Sequence, residues 1–195
     1  MKKIKTIIYG GAFNPPTIAH EDILKACIDY ATQFSADIWI VPSSSRVDKQ
    51  ITTSYDMRIK LLKAMIKDVG DMYTSIDIIE TELDRDGLIS TFDTVKEFEA
   101  LYINREFEWV FGSDSTQTMA DWENGNWLLE NLRMLAIKRP GADINLFAKN
   151  VKEIKVKKRD VSSTEIRRRI KSGESIDDLV GEAVGFILNK NTSPF

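Results

Sequence analysis

One short segment near the start of the chain has the composition of a phosphate-binding loop. Residues 10–20 read GGAFNPPTIAH, and the two adjacent glycines would let the backbone approach a ligand closely. Pro15 and Pro16 fix the entry into a helix whose N–H groups and dipole attract anions. Thr17 and His20 share one face of the first helical turn, so a hydroxyl and an imidazole could both donate to phosphate oxygens. The alternative is a tight turn, a helix cap and a surface histidine.

A second segment with anion-binding character lies near residue 163. Residues 163–169 read STEIRRR, so hydroxyls and three arginines occupy the first turns of a predicted helix, where they could surround a polyphosphate. Residues 149–171 hold ten basic and three acidic residues, a net charge of +7 that leaves −10 for the rest of a chain with net charge −3. A solvated basic helix and a nucleic-acid patch are the alternatives. The negative total charge and the lack of interleaved aromatic residues argue against nucleic acid.

The counts of histidine and cysteine exclude several classes of site. The 195 residues include one histidine, His20, and one cysteine, Cys27. A Cys/His zinc site and a metalloprotease HExxH motif are therefore excluded, and we expect no metal held by the protein alone. A lone cysteine forms no internal disulfide and fits a reducing cytosol. With no leader segment and no long apolar run, we expect a cytoplasmic protein that does not partner with a membrane.

Short apolar runs alternate with longer amphipathic stretches along the chain. Strands are predicted at Ile4–Tyr9, Asp37–Val41, Ser75–Ile79, Glu108–Phe111, Leu135–Ile137 and Glu153–Lys157. Helices are predicted at Ile18–Phe34, Tyr55–Val69, Thr91–Tyr102, Ser163–Lys171 and Ile176–Leu188. This alternation is typical of βαβ units, so the sequence predicts a doubly wound parallel α/β sheet with C-terminal helices in one domain, residues 1–195. Such sheets bind ligands beyond the carboxyl ends of their strands, which are here Gly10–His20, Pro42–Lys49, Gly112–Trp122 and Arg139–Gly141.

These motifs together resemble a known enzyme family. Gly-Gly-x-Phe-x-Pro, Thr-x-x-His and the later Ser-Ser-Thr-x-Ile-Arg are similar to motifs of the (T/H)xGH nucleotidyltransferases, which have a Rossmann-like fold. Four further segments resemble the bacterial type of nicotinate/nicotinamide mononucleotide adenylyltransferase: DMR at 56–58, STFDT at 90–94, GSDS at 112–115 followed by Trp122, and RPG at 139–141. The motifs occur in the family's order from Gly10 to Arg167.

The resemblance implies an activity and a set of roles. A phosphate oxygen of the mononucleotide would attack the α-phosphorus of the co-substrate ATP, with Mg²⁺ present, and pyrophosphate would leave. The implied catalytic residues are His20, Thr17 and Arg167. The implied ATP-binding residues are Gly10, Gly11, Ala12, Phe13, Lys49, Gly112, Asp114, Ser163 and Thr164. The implied mononucleotide-binding residues are Thr91, Trp122 and Arg139. Trp122 lies in a polar segment and is predicted to stack on a ligand, whereas Trp39, Trp109 and Trp127 are predicted core residues.

The sequence departs from the family pattern at several positions and leaves alternatives open. Ala19 replaces the family's glycine, Thr17 replaces the subgroup's first histidine, RVDK at 46–49 replaces Pro-Pro-His-Lys, and Ser90 replaces a stacking tyrosine. Adenylyl transfer to another phosphorylated acceptor, such as phosphopantetheine, is one alternative. A non-catalytic nucleotide-binding homologue and a nucleic-acid module are two others. The choice between nicotinate and nicotinamide mononucleotide stays open, as does the oligomeric state, a homo-oligomer included.

Overall fold

Parallel strands form the centre of the structure. The structure is a computed structural model, and it describes residues 3–44, 51–70, 74–83, 89–139, 141–145 and 147–190. The strands are β1 (Ile4–Gly11), β2 (Asp37–Pro42), β3 (Ile76–Ile78), β4 (Arg105–Gly112), β5 (Arg133–Ile137) and β6 (Asn150–Ile154). All neighbouring pairs are parallel, in the order β3-β2-β1-β4-β5-β6. The predicted doubly wound, Rossmann-like α/β fold is therefore confirmed. The direction of winding reverses between β1 and β4, so their carboxyl ends flank the point where such folds bind ligands.

Helices cover both faces of the sheet. They are α1 (Ile18–Phe34), α2 (Tyr55–Val69), α3 (Thr91–Leu101), α4 (Ser113–Thr118), α5 (Gly125–Asn131), α6 (Ser163–Ser172) and α7 (Glu182–Lys190). α2 has its predicted bounds because Ser54 accepts a hydrogen bond from the Met57 N–H and Gly70 ends the helix at φ 72°. No helix within the described ranges is long and apolar enough to cross a membrane.

Several predicted elements differ from the structure, and β4 begins at Arg105 rather than at Glu108. No helix is predicted between β4 and β5, but that segment contains α4, a 3-10 turn at Met119–Asp121, and α5. The last strand is Asn150–Ile154 rather than Glu153–Lys157, because its pairing partner β5 ends opposite Ile154. The last helix begins at Glu182 rather than at Ile176. At this start Asp68 accepts hydrogen bonds from the N–H groups of Ala183 and Val184.

Two apolar layers enclose the sheet and position its loops. The layer that includes α1, α2, α6 and α7 contains Leu24, Cys27, Leu61, Met65, Ile166 and Leu188. The opposite layer, formed with α3 and α5, contains Trp39, Phe98, Trp109, Met119 and Leu128. The predicted core positions of Trp39 and Trp109 are confirmed, while Trp127 is half-buried and packs on the edge of that second layer.

Candidate active site

The loop between β1 and α1 is held in place by a buried aromatic ring. Phe13 is 1% exposed, and its ring packs edge-on against Tyr9 with centroids 5.3 Å apart and lies 5.2 Å from the ring of His20. Its backbone has φ 44°, a left-handed conformation that a bulky side chain rarely adopts. Burial of the ring holds the backbone in this conformation. Phe13 therefore fixes the path of the loop, in addition to any backbone contact it offers.

Thr17 and His20 are brought together as predicted, through direct contact. Thr17 is the N-cap of α1, and its Oγ1 lies 2.8 Å from His20 Nδ1. The backbone N–H of Thr17 also donates to Nδ1 over 3.0 Å. Because Nδ1 is an acceptor, the neutral imidazole carries its proton on Nε2. Thr17 is 2% exposed, so its hydroxyl orients the histidine ring from below the surface.

Two backbone N–H groups in the first turn of α1 have hydrogen-bond acceptors within the fold. The N–H of Ile18 donates to the carbonyl of Leu179 over 2.8 Å, and the N–H of His20 donates to the carbonyl of Thr17 over 2.9 Å. These two groups are therefore engaged, and a ligand at this end of α1 would meet the helix dipole and the imidazole. The contact with Leu179 also attaches the C-terminal segment to this corner of the sheet.

The two predicted anion-binding segments meet in space. Ser163, the first residue of α6, donates its hydroxyl to the carbonyl of Pro15 over 2.7 Å. Arg167 donates from Nη1 to the carbonyl of Asn14 over 2.6 Å and from Nη2 to the hydroxyl of Thr164 over 3.1 Å. The amino end of α6 therefore docks on the β1–α1 loop, and a hydroxyl and a guanidinium from α6 border the same loop as His20.

The other two arginines of α6 face its acidic neighbours. Arg168 pairs with Glu165 at 2.8 Å and with Glu174 at 2.6 Å. Arg169 pairs with Glu165 at 2.9 Å and with Asp178 at 2.6 Å. Hydrogen bonds from Arg168 and then Arg169 lower the pKa of Glu165 to about 2. Of the three consecutive arginines, Arg167 is therefore the one that reaches the loop.

Residues at the ends of β4 and β5 form one polar cluster. Arg139 and Asp114 pair across 3.1 Å, with both side chains about half exposed. The Arg139 N–H donates to the hydroxyl of Ser113, which donates to the carbonyl of Ala142. A Cβ on Gly112 would lie 2.3 Å from Asp114 Oδ1 and 2.8 Å from Arg139 Nε, so a larger residue there would displace the ends of these two side chains. The predicted residues Gly112, Asp114 and Arg139 are thus neighbours.

An aromatic group lies between α3 and α5. Thr91 is the first residue of α3, after the capping residue Ser90. Phe92 packs edge-on against Trp127 with centroids 5.3 Å apart. Trp122 is half-buried, with its ring centroid 6.1 Å from that of Phe111. α3, which begins with Thr91, is therefore in contact with α5, and Trp122 lies three residues before α5 and packs against β4. Lys49 lies outside the described residues.

A buried arginine on α2 has a role that the sequence did not predict. Arg58 is 2% exposed, and it donates from Nε to the carbonyl of Ala12 over 3.0 Å and from Nη2 to the carbonyl of Ser43 over 2.6 Å. Desolvation by burial lowers its pKa to about 10, partly opposed by the field of Glu82. Arg58 lies on the same helical face as Leu61 and Met65. The sequence held one signal for this role, a charged residue within the apolar face of a predicted helix.

The chain is similar to proteins of known class. Residues 8–169 match the sequence model of the Cytidylyltransferase-like family. A protein of Exiguobacterium sibiricum, named "Probable nicotinate-nucleotide adenylyltransferase", is 32% identical over 184 residues, which cover 93% of this chain and 94% of that protein. A protein of Geobacillus kaustophilus with the same name is 32% identical over 180 residues, or 91% of this chain and 80% of that protein.

Solved structures share the fold at lower identity. The Plasmodium falciparum nicotinic acid mononucleotide adenylyltransferase complexed with NaAD superposes with a TM-score of 0.79 at 23% identity, covering 96% of both chains. A putative nicotinate-nucleotide adenylyltransferase from Vibrio parahaemolyticus superposes with a TM-score of 0.70 at 22% identity, covering 96% of this chain and 99% of the other.

Proposed function

Since the chain belongs to the cytidylyltransferase-like family, we propose that it transfers the adenylyl group of ATP to nicotinate mononucleotide or its nicotinamide analogue. The products are pyrophosphate and the dinucleotide of NAD biosynthesis. The family prediction made from the motifs is confirmed by the match over residues 8–169. The observation that carries the proposed function is the docking of Ser163 and Arg167 of α6 on the loop that leads to His20. This docking supports a single polyphosphate site that is shared by α6 and the β1–α1 loop.

The proposed reaction needs alignment and charge neutralisation rather than proton removal. A phosphate oxygen of the mononucleotide forms a bond to the α-phosphorus of ATP, and the bond from that phosphorus to the bridging oxygen of the β-phosphate breaks. The attacking oxygen is already an anion, so the protein needs no general base. It must hold two anions in line and stabilise the charge that develops on pyrophosphate.

His20 is the proposed donor to the α-phosphate. Its Nδ1 accepts the N–H of Thr17, so the Nε2 proton is the one that can donate to a phosphate oxygen. Thr17 contributes through its hydroxyl contact with the same ring. Arg167, with Ser163 and Thr164, binds the phosphates that leave, and a guanidinium suits this task because it stays charged and donates in a planar fork.

The remaining proposed contacts concern the two nucleosides. Gly112 and Asp114 meet the adenosine of ATP, with Asp114 on its ribose, and the backbone of residues 10–13 contacts the phosphates. Thr91 and Trp122 flank the pyridine ring, and Arg139 lies on the mononucleotide side. Lys49 is proposed as a further phosphate ligand. Because relatives such as the Exiguobacterium sibiricum protein are named for nicotinate nucleotide, we expect nicotinate mononucleotide to be the better acceptor.

Mg²⁺ is proposed to arrive with ATP. Within the described ranges, no group of three or more His, Cys, Asp or Glu side chains could hold a metal ion. Mg²⁺ commonly keeps several waters and binds through substrate phosphates. The chain is proposed to act as one domain in the cytoplasm, where the lone Cys27 stays reduced.

A direct assay tests this function. Pyrophosphate release is measured with ATP and Mg²⁺ and, in parallel, nicotinate mononucleotide, nicotinamide mononucleotide and phosphopantetheine. We expect release with the pyridine mononucleotides and a loss of about 10²–10³ in kcat for His20→Ala, as for removal of one oxyanion donor. No release with any acceptor would favour a non-catalytic homologue. Release with phosphopantetheine alone would overturn the acceptor, and unchanged turnover of His20→Ala would overturn the role of the histidine.

A further inference from the structure

The guanidinium of Arg58 joins the ends of the two strands that lead to the active-site loops. Its Nε donates to the carbonyl of Ala12, which follows β1, and its Nη2 donates to the carbonyl of Ser43, which follows β2. The N–H of Ser43 also donates to the carbonyl of Gly11 over 3.0 Å. One buried side chain therefore fixes the separation and the orientation of two loops that come from different parts of the sequence.

These two hydrogen bonds determine where the next N–H groups point. In a planar trans peptide the carbonyl and the following N–H point in opposite directions. The peptides after Ala12 and Ser43 are trans, since within the described ranges the cis bond is Asn14–Pro15. The N–H of Phe13 and the N–H of Ser44 therefore both point away from the buried guanidinium. Arg58 turns two peptide dipoles so that their positive ends leave the core.

The groups oriented in this way have no acceptor among the residues that the structure describes. In the described part of the chain, neither the N–H of Phe13 nor that of Ser44 donates a hydrogen bond. The side-chain oxygens of Ser43 and Ser44 are buried and are also without a partner there. Buried polar groups in native proteins nearly always have partners. Their concentration at the carboxyl ends of β1 and β2 indicates that a ligand with acceptor oxygens completes this corner.

We propose that Arg58 is a positioning residue that directs the N–H of Phe13 to a phosphate of ATP and the N–H of Ser44 to the phosphate of the mononucleotide. This inference rests on the proposed function and extends it to a residue that touches neither substrate. The two N–H groups act as fixed donors, one on each reacting anion, and their spacing is set by a single guanidinium. Arg58 thereby couples the placement of the two reactants.

The chemistry of the side chain favours arginine at this position. Its pKa of about 10 keeps it protonated at neutral pH despite burial, so it also adds positive charge beneath two anions. The planar fork of Nε and Nη2 reaches two carbonyls at once. A lysine carries the charge on a single nitrogen, which cannot reproduce this geometry.

The first experiment compares Arg58→Lys, Arg58→Met and Lys63→Met in the pyrophosphate-release assay, with circular dichroism and urea unfolding of the same samples. For folded Arg58→Lys we expect kcat/KM to fall about 10- to 100-fold for both substrates, as for misplaced oxyanion donors, and for Arg58→Met to fall further. Lys63→Met removes a charge from the exposed face of α2 and should match the wild type. A folded Arg58→Lys protein with wild-type constants, or with a defect toward one substrate alone, would overturn the proposal.

A second measurement uses the unmodified chain and needs no variant to fold. The ¹⁵N-labelled protein is titrated separately with ATP and with nicotinate mononucleotide. We expect ATP to shift the amide signal of Phe13 and the mononucleotide to shift that of Ser44, with Lys63 unmoved. A Phe13 or Ser44 amide that stays in place at saturation would refute the assigned direction of these N–H groups. The titration detects binding and not turnover, so it tests this proposal separately from the proposed function. A protein that binds both substrates but releases no pyrophosphate would disprove the proposed function alone.

Discussion

The contact between Thr17 and His20 leads to a prediction about Thr17→Val. Valine has nearly the shape of threonine, so the buried position stays filled while the hydroxyl 2.8 Å from His20 Nδ1 is removed. The backbone N–H of Thr17 still donates to Nδ1 over 3.0 Å. The substitution therefore removes one of the two hydrogen-bond contacts that Thr17 makes with the imidazole, together with the side-chain cap of α1.

Two estimates of magnitude distinguish an orienting role from direct catalysis. Loss of the cap costs about 1 kcal/mol of folding free energy. Loss of a neutral hydrogen bond costs about 0.5–1.5 kcal/mol, which corresponds to about a 2- to 12-fold decrease in kcat if it affects the transition state alone. A hydroxyl that donated directly to the transferred phosphate would instead contribute about 10²–10³.

Pyrophosphate release at saturating substrates measures the effect, with urea unfolding to record the loss of the cap. Thr17→Ser keeps the hydroxyl and serves as the control, expected within about twofold of the wild type since one methyl is lost. Thr17→Val should lose about 2- to 12-fold in kcat, far less than His20→Ala loses. If folded Thr17→Val falls as far as His20→Ala, the hydroxyl donates to phosphate and the orienting role is refuted.

Three further predictions concern charge and burial. Arg167→Gln should lower kcat/KM for ATP at least about tenfold. Arg168 pairs with Glu165 and Glu174, so Arg168→Gln should stay within about twofold of the wild type. Equal losses for the two variants in the pyrophosphate-release assay would contradict this. Burial and then Asp68 raise the pKa of Glu21 above its usual 4.5, so its ionised form costs stability at neutral pH. Glu21→Gln should therefore raise the urea midpoint at pH 7 to 8, a gain that shrinks as pH falls toward the unfolded-state value, and a gain independent of pH would refute it. Burial raises the pKa of Cys27 to about 12, so thiol reagents should label it only on unfolding, and rapid labelling of native protein at pH 8 would show otherwise.

The long elements could be predicted because their signals are local. In α2 a serine cap, an apolar stripe and a glycine at φ 72° all lie within the segment itself. α4 and α5 have six and seven residues, too few for a clear periodicity. Their packing depends on a close approach across the segment, since a Cβ on Gly125 would lie 1.8 Å from the carbonyl oxygen of Met119. Such a contact has no signature in a short window of sequence.

The candidate site was predictable as a set of segments, but not as a set of contacts. Motif order brings residues 10–20 and 163–167 to the same edge of the sheet. Which of Arg167 and Arg168 faces the loop depends on the rotation of α6 about its axis, which packing of Ile166 sets. Arg58 belongs to the DMR segment that carries part of the resemblance, but its contacts were not predicted, because its partners are the carbonyls of Ala12 and Ser43. Every residue has a carbonyl, so a charged residue on the apolar face of a helix does not indicate which carbonyls it contacts.

The docking of α6 on the β1–α1 loop has a consequence for a chain that is still being made. The hydrogen bonds from Ser163 to Pro15 and from Arg167 to Asn14 span 148 and 153 residues. A ribosome delivers the histidine and its strand early, and domains fold as the chain emerges. Until α6 follows, the carbonyls of Asn14 and Pro15 lack these donors and the guanidinium proposed to hold pyrophosphate is absent. A growing chain therefore lacks the part of the proposed polyphosphate site that α6 supplies, and we expect ATP to stabilise it less than a chain whose synthesis has passed α6.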